Sequence, residues 1–152
     1  MNKYDSQFFS AVFEVAKTHL TWVEKYAEEL KVIIPITEAT FNNEENVKLI
    51  DSYLFRFSSL QDTLGISLFR LCLYKLGEDV FDKSFIDIFN KLEKIGIVSN
   101  YEKWDELRNL RNEIAHNYDT KPDLNITRIN EIISLKDNLT SYFYSIKKYF
   151  NL

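Results

Sequence analysis

Three glycines, two prolines and a single cysteine in 152 residues set the first limits on this chain. So few turn formers leave little room for β-hairpins or for a glycine-rich phosphate loop. Cys72, in the apolar run Leu71-Cys72-Leu73-Tyr74, has no intrachain partner, which excludes a disulfide-stapled miniprotein. No cysteine cluster offers a seat for zinc or an iron–sulfur centre, and no metal or other cofactor is expected. A reducing, cytoplasmic setting fits best. Long apolar runs are missing as well, because charged residues interrupt each of them short of spanning length. The opening Met1-Asn2-Lys3-Tyr4-Asp5-Ser6 lacks the basic-then-apolar pattern of a secretory signal, so a soluble protein with no membrane partner is expected. Nor is there a surplus of positive charge. With 19 Lys+Arg against 23 Asp+Glu the formal charge is −4, and any attraction to a nucleic-acid backbone must be local.

What the chain has is apolar and aromatic bulk. Apolar residues make up 45%, with 12 Phe, 9 Tyr and 2 Trp, enough to close one core without staples. Phe9, Phe13, Ala16, Leu20, Val23, Ala27, Leu30 and Ile34 recur at steps of four and three, the seam of a long helix that Pro35 ends. After a loop from Thr37 to Asn43, a second long helix carries Val47, Ile50, Leu54, Phe57, Leu64, Leu68 and Leu71 and stops at Gly77. Its seam skips at Gln61, either a buried hydrogen-bonding position or the edge of the stripe, with the edge preferred. Phe81, Phe85, Ile88, Leu92 and Ile95 predict a short third helix ended by Gly96, and Ser99-Asn100 offers a cap for a fourth. A loop from Asp119 through Pro122 to Asn125 leads to a last helix with Ile129, Ile132, Leu139, Phe143, Ile146 and Phe150 inward. The expected fold is therefore all-α, an up-and-down bundle of about five helices forming one domain over residues 1–152.

The fourth helix carries the informative pattern, Trp104, Leu107, Arg111, Ile114 and Tyr118. A guanidinium on an apolar stripe needs a carboxylate, phosphate or carbonyl to bind, so Arg111 is either paired internally or held at the lip of a cleft facing an anion. His116 favours the second possibility. Asn112 and His116 are four apart and share a face, and Arg111 has the reach to bring its head group alongside. A fixed positive charge, an amide and a group titrating near neutrality suit phosphodiester chemistry, in which an imidazole takes the proton of a ribose hydroxyl and a guanidinium offsets charge growing on phosphorus.

The run Arg111-Asn112-Glu113-Ile114-Ala115-His116-Asn117-Tyr118 resembles the Arg-x4-His signature of the HEPN superfamily. Its Arg-Asn-x3-His-x-Tyr form is similar to HepT-type toxins and to the substrate-binding subunits of minimal nucleotidyltransferases. The resemblance covers roughly residues 44 to 150 and implies a HEPN-like four-helix core plus a short helix. It further implies a metal-independent ribonuclease, a homodimer whose two motif faces border a shared cleft, an RNA substrate and a cognate nucleotidyltransferase antitoxin. Arg111 and His116 become catalytic, Asn112 supports them, and Tyr118 matches the tyrosine that the antitoxin modifies with AMP.

Several residues also carry plainer readings. Glu113, three before His116, would orient the imidazole or raise its pKa, although an exposed helix glutamate is the default. Arg108 pairs with Asp105 or Glu113 on a solvated face in preference to touching RNA. His19 is a boundary or surface residue, and Asp51 and Asp62, eleven apart, face the cleft without forming a metal site. Tyr142, Tyr144, Tyr149 and Phe150, interleaved with Lys147 and Lys148, are read as core and rim before any strand-stacking surface. The acidic balance keeps a second function open, a noncatalytic HEPN module binding substrate or nucleotide for a separate nucleotidyltransferase. A helical scaffold would leave Arg111 and His116 unexplained.

Overall fold

The unbroken apolar stripe of the first segment dictates α1 (Ser6–Leu30) in a computed structural model that describes residues 6–117 and 122–152. Phe9, Phe13, Ala16, Leu20, Val23 and Leu30 are buried along it. The helix stops earlier than the seam suggests. Ile34 precedes Pro35, and a residue before proline is pushed out of the helical region, so the chain turns at residues 31–33 and leaves Ile34 exposed. Ile36 takes the core position instead. The expected loop contains a 3₁₀ turn, Glu38–Asn42, closed by Thr40 Oγ1 accepting from the Thr37 N–H at 2.9 Å.

Asn43 then caps α2 (Glu44–Asp62), its side-chain oxygen accepting from the N–H groups of Glu45 and Asn46. The rod runs on through a π-helical segment, Thr63–Leu68, into α3 (Phe69–Lys75). Gly77 follows with φ +82°, a left-handed turn that glycine makes without a Cβ penalty. The third helix, α4 (Phe85–Ile95), begins four residues later than Phe81 predicts, because Ser84 caps it by accepting from the Asp87 N–H; Phe81 is left half-exposed outside. It ends at Gly96, where Ile97 N–H returns to the Leu92 carbonyl at 2.9 Å. Next comes α5 (Tyr101–Asn117). Pro122 opens α6 (Pro122–Ser134), so Pro122 to Asn125 is helical where a loop was expected, proline fitting a first turn that has no N–H bond to lose. A break at Leu135 leads to α7 (Lys136–Tyr149), and it falls inside the seven-residue jump of the seam from Ile132 to Leu139.

The α2–π–α3 rod and the bent α6–α7 rod each count as one, so five rods form an all-α bundle with no strand among the described residues. No described helix is long and apolar enough to cross a membrane. α1 packs along α2, the π segment, α3 and α7, while α5 packs on α6 and α7. One end of the core is an aromatic cluster in which Trp104 meets Phe69 at 4.9 Å and Tyr142 at 5.1 Å between ring centroids, with Phe85 and Phe89 around it. Cys72 is buried beside Leu71 and Leu73, and burial pushes its thiol pKa far above the ordinary value, so it packs as an inert apolar residue.

The link between Pro35 and α2 is fastened across the molecule. Asn130 on α6 accepts from the Ile36 N–H at 2.8 Å and donates to the Ile36 carbonyl at 2.9 Å. Asn130→Ala should lower the unfolding free energy by about 2 kcal/mol, the scale of stranding polar groups next to a core. Urea denaturation measures it; an unchanged midpoint would mean that water replaces the amide.

Candidate functional site

Asn100 starts α5 by accepting from the Lys103 N–H at 3.1 Å, and Trp104, Leu107, Leu110 and Ile114 then anchor the helix in the core. Arg111 lies between Leu107 and Ile114 on that anchored face, so its stem is carried toward α2. There Nη2 donates to Asp62 Oδ2 at 2.7 Å, with the two side chains 27% and 43% exposed. Arg111 is thus both paired internally and at the rim of the bundle. A pair this open to water contributes about 0–1 kcal/mol, too little to matter for stability. Its larger effect is geometric, holding one edge of a planar donor in place and leaving the rest directed at the surface. The sequence sets Asp62 toward the cleft but not against Arg111, since a contact between residues 49 apart on different helices leaves no periodic trace.

The remaining motif residues are arranged unequally. Asn112 is exposed, and its Oδ1 lies 3.4 Å from Arg111 Nη1, near the outer limit of a hydrogen bond. His116 is exposed one turn further along, and no described residue hydrogen-bonds its ring. Arg111 and His116 differ by about 140° around α5, so within one chain they flank a surface and do not meet in a closed pocket. Glu113 is not a bare surface carboxylate. Arg128 Nε on α6 sits 3.1 Å from its Oε2, and Nη1 of the same arginine reaches Glu131 at 2.8 Å, an ion-pair chain that ties α5 to α6. Tyr118 lies outside the described residues.

Two grooves run along the seam between α2 and α5, one on each side of Arg111. The first, about 450 Å³, has Asp51, Phe55 and Ser58 on one wall and Arg111 and Ala115 on the other. The second, about 330 Å³, lies where the π segment faces Trp104 and Arg108, and Asp62 borders it. Here the preferred reading of Gln61 is corrected: it is 2% exposed and not at the stripe's edge. Four after Phe57 and three before Leu64, it sits on the seam itself, and helical geometry buries it despite its polarity. Neither its amide nitrogen nor its amide oxygen has a hydrogen-bond partner among the described residues, and the same holds for Trp104 Nε1. Arg108 also departs from expectation. It forms no ion pair among the described residues, because Asp105 lies against Asn109 and Glu113 against Arg128.

Elsewhere the aromatic C-terminus divides into core and rim. Tyr142 is buried and donates to the Asn100 carbonyl, its pKa pushed up to about 12 chiefly by burial and then by Glu93, while Tyr144 and Tyr149 are exposed. No group of three or more His, Cys, Asp or Glu among the described residues is placed to hold a metal ion. The chain matches no protein-family model, no curated protein and no solved structure. The likeness to HEPN proteins therefore stands on residues 111–118 alone.

His19 is half-buried and not a bystander: Arg56 Nη1 lies 3.1 Å from its Nδ1, so the ring accepts there and carries its proton on Nε2. Desolvation first, and the Arg56 charge second, lower its pKa below the ordinary histidine value of 6.5. The folded chain then binds fewer protons than the unfolded chain, so this contribution is present above pH 6.5 and is lost as the pH falls toward the depressed folded value. The urea midpoint should drop between pH 7.5 and 5.5, and drop less in His19→Gln. Equal pH dependence in both proteins would contradict the assignment.

Proposed function

We propose that this chain is a metal-independent RNA endonuclease, the toxin of a toxin–antitoxin pair whose antitoxin is a minimal nucleotidyltransferase. The observation that carries this reading is the Asp62-held guanidinium of Arg111 at the mouth of a groove, with the exposed imidazole of His116 one turn on along the same helix. In the reaction, neutral His116 accepts the proton of a ribose 2′-hydroxyl as O2′ bonds to phosphorus. The P–O5′ bond breaks, leaving a 2′,3′-cyclic phosphate and a 5′-hydroxyl that takes its proton from a second acid. Arg111 stabilises the charge that builds on the non-bridging oxygens.

A homodimer completes the scheme, because a symmetric cleft supplies the second imidazole. Phe55 and Ile66, 63% and 72% exposed on the groove side of the α2–π rod, supply apolar surface for such an interface. Addition of AMP to Tyr118 by the partner would add a phosphodiester that competes with RNA for Arg111. A noncatalytic subunit binding substrate or nucleotide for a nucleotidyltransferase is the second reading. The observation favouring it is that the charge of Arg111 is already shared with Asp62, which weakens its pull on a phosphate.

Purified protein should cleave single-stranded RNA in the presence of a divalent-metal chelator. His116→Ala and Arg111→Ala should each slow cleavage by on the order of a hundredfold, and exposed His116 should be replaceable without loss of fold. A parent without activity, or a His116→Ala protein as fast as the parent, would move the binding reading ahead. Sedimentation at micromolar concentration should give a species of twice the chain mass; a monomer would remove the shared cleft.

A further inference from the structure

We propose, on the reading of RNA as the substrate, that Trp22 and Lys25 on α1 and Arg56 on α2 form a second contact for it, a platform that holds single-stranded nucleotides flanking the phosphate at Arg111. Arg56 is fixed in place. Its Nη1 lies 3.1 Å from His19 Nδ1, and its guanidinium carbon lies 5.7 Å from the centroid of the Trp22 ring and 5.8 Å from that of Phe55. The indole is braced in turn, stacked on Tyr26 with 5.4 Å between centroids, and both Trp22 and Arg56 stay partly open to solvent. Lys25 Nζ sits 4.8 Å from the same indole at the end of an exposed, flexible stem.

Neither cation has an ion-pair partner among the described residues. His19 is a neutral acceptor, Glu28 is held by Lys31 at 2.7 Å, Glu24 accepts from Tyr144, and Glu29, one turn past Lys25, pairs with neither. On a chain of formal charge −4, uncompensated cations beside an aromatic ring are the local attraction that a phosphate backbone needs. Ring and cations at one spot select a single strand over other anions, because an unpaired base offers a face to the indole while its phosphate meets the guanidinium. The base takes the place of the Lys25 ammonium over the ring, and the ammonium swings to the backbone. Position suits a strand running on from the Arg111 groove. Arg56 is six residues before Asp62 on α2, about 9 Å along the axis and about 120° around it. Phe55, against its guanidinium, lines the groove that contains Arg111. A dinucleotide seated at Arg111 ends short of Arg56 and leaves His19 undisturbed.

The test measures binding of the full chain to a labelled RNA of about 12 nucleotides, within the site sizes of single-strand binders, carrying 2′-O-methyl groups throughout so that it is not cleaved. Arg56→Gln and Trp22→Ala should each weaken binding about tenfold, and Trp22→Phe, which keeps a ring and disturbs the fold less, should weaken it by a smaller factor. Arg56→Gln should also lower the slope of log affinity against log salt by about 0.7, the share of one phosphate contact on a single strand. A dinucleotide should bind Arg56→Gln and the parent alike. No binding of the long strand by the parent, parental affinity in either Arg56→Gln or Trp22→Ala, or an unchanged salt slope in Arg56→Gln would each overturn the proposal. So would duplex RNA or polyglutamate competing as well as the single strand, which would make the platform a general site for anions. Loss of nuclease activity with Arg56-dependent binding intact would remove the cleavage reading alone. Cleavage of RNA by a chain whose binding of the long strand ignores Arg56 would remove the platform alone.

Discussion

The indole of Trp104 occupies the space into which the side chain of any residue larger than glycine at position 65 would project. That contact sets how closely α5 approaches the rod formed by α2, the π segment and α3. Trp104 is then fixed from behind by Phe69, Phe89 and Tyr142, so α5 can neither withdraw nor rotate without opening the aromatic end of the core. Two turns along from Trp104, the same placement delivers Arg111 to Asp62. The π segment contributes at the other side, because its wider turn alters the phase of the rod between Asp62 and Phe69, where the facing groove lies.

Stability and the proposed chemistry use different parts of this arrangement. The fold rests on a contiguous apolar core reaching from Phe9 on α1 to Ile146 on α7, and the motif residues add little to it. Arg111 and Asp62 are too exposed to contribute much, and Asn112 and His116 are at the surface. In the opposite direction, Gln61 and the Trp104 N–H are buried without a hydrogen-bond partner among the described residues.

Much of the bundle was legible in the sequence, for a physical reason: burial follows the helical period. The seam of α1 from Phe9 to Leu30, the stop at Gly96 and the inward face of Ile129, Ile132, Leu139, Phe143 and Ile146 all come from spacing. The errors have local causes. Ile34 and Phe81 continue their seams in sequence, yet Pro35 and the Ser84 cap place the helix boundaries elsewhere. Polarity argued against burying Gln61, but position outweighs polarity when both neighbours on the seam are buried. At the site, Arg111 on an apolar stripe announced that it needed a partner. Asp62 was placed toward the cleft, but its pairing with Arg111, like that of Arg128 with Glu113, could not be read off, since contacts between distant helices follow from packing and not from any local pattern.

The central claim is that Arg111, steadied by Asp62, and His116 act on one RNA phosphate. The most direct measurement is a nuclear magnetic resonance titration with a short RNA made uncleavable by a 2′-deoxy substitution, following the Arg111 side-chain N–H and the two imidazoles. The chain has only two histidines, so His19, bound to Arg56, serves as the internal control. The account predicts that the Arg111 and His116 signals shift together with one dissociation constant while His19 stays still. Movement of Arg111 without His116, or of neither, would contradict it.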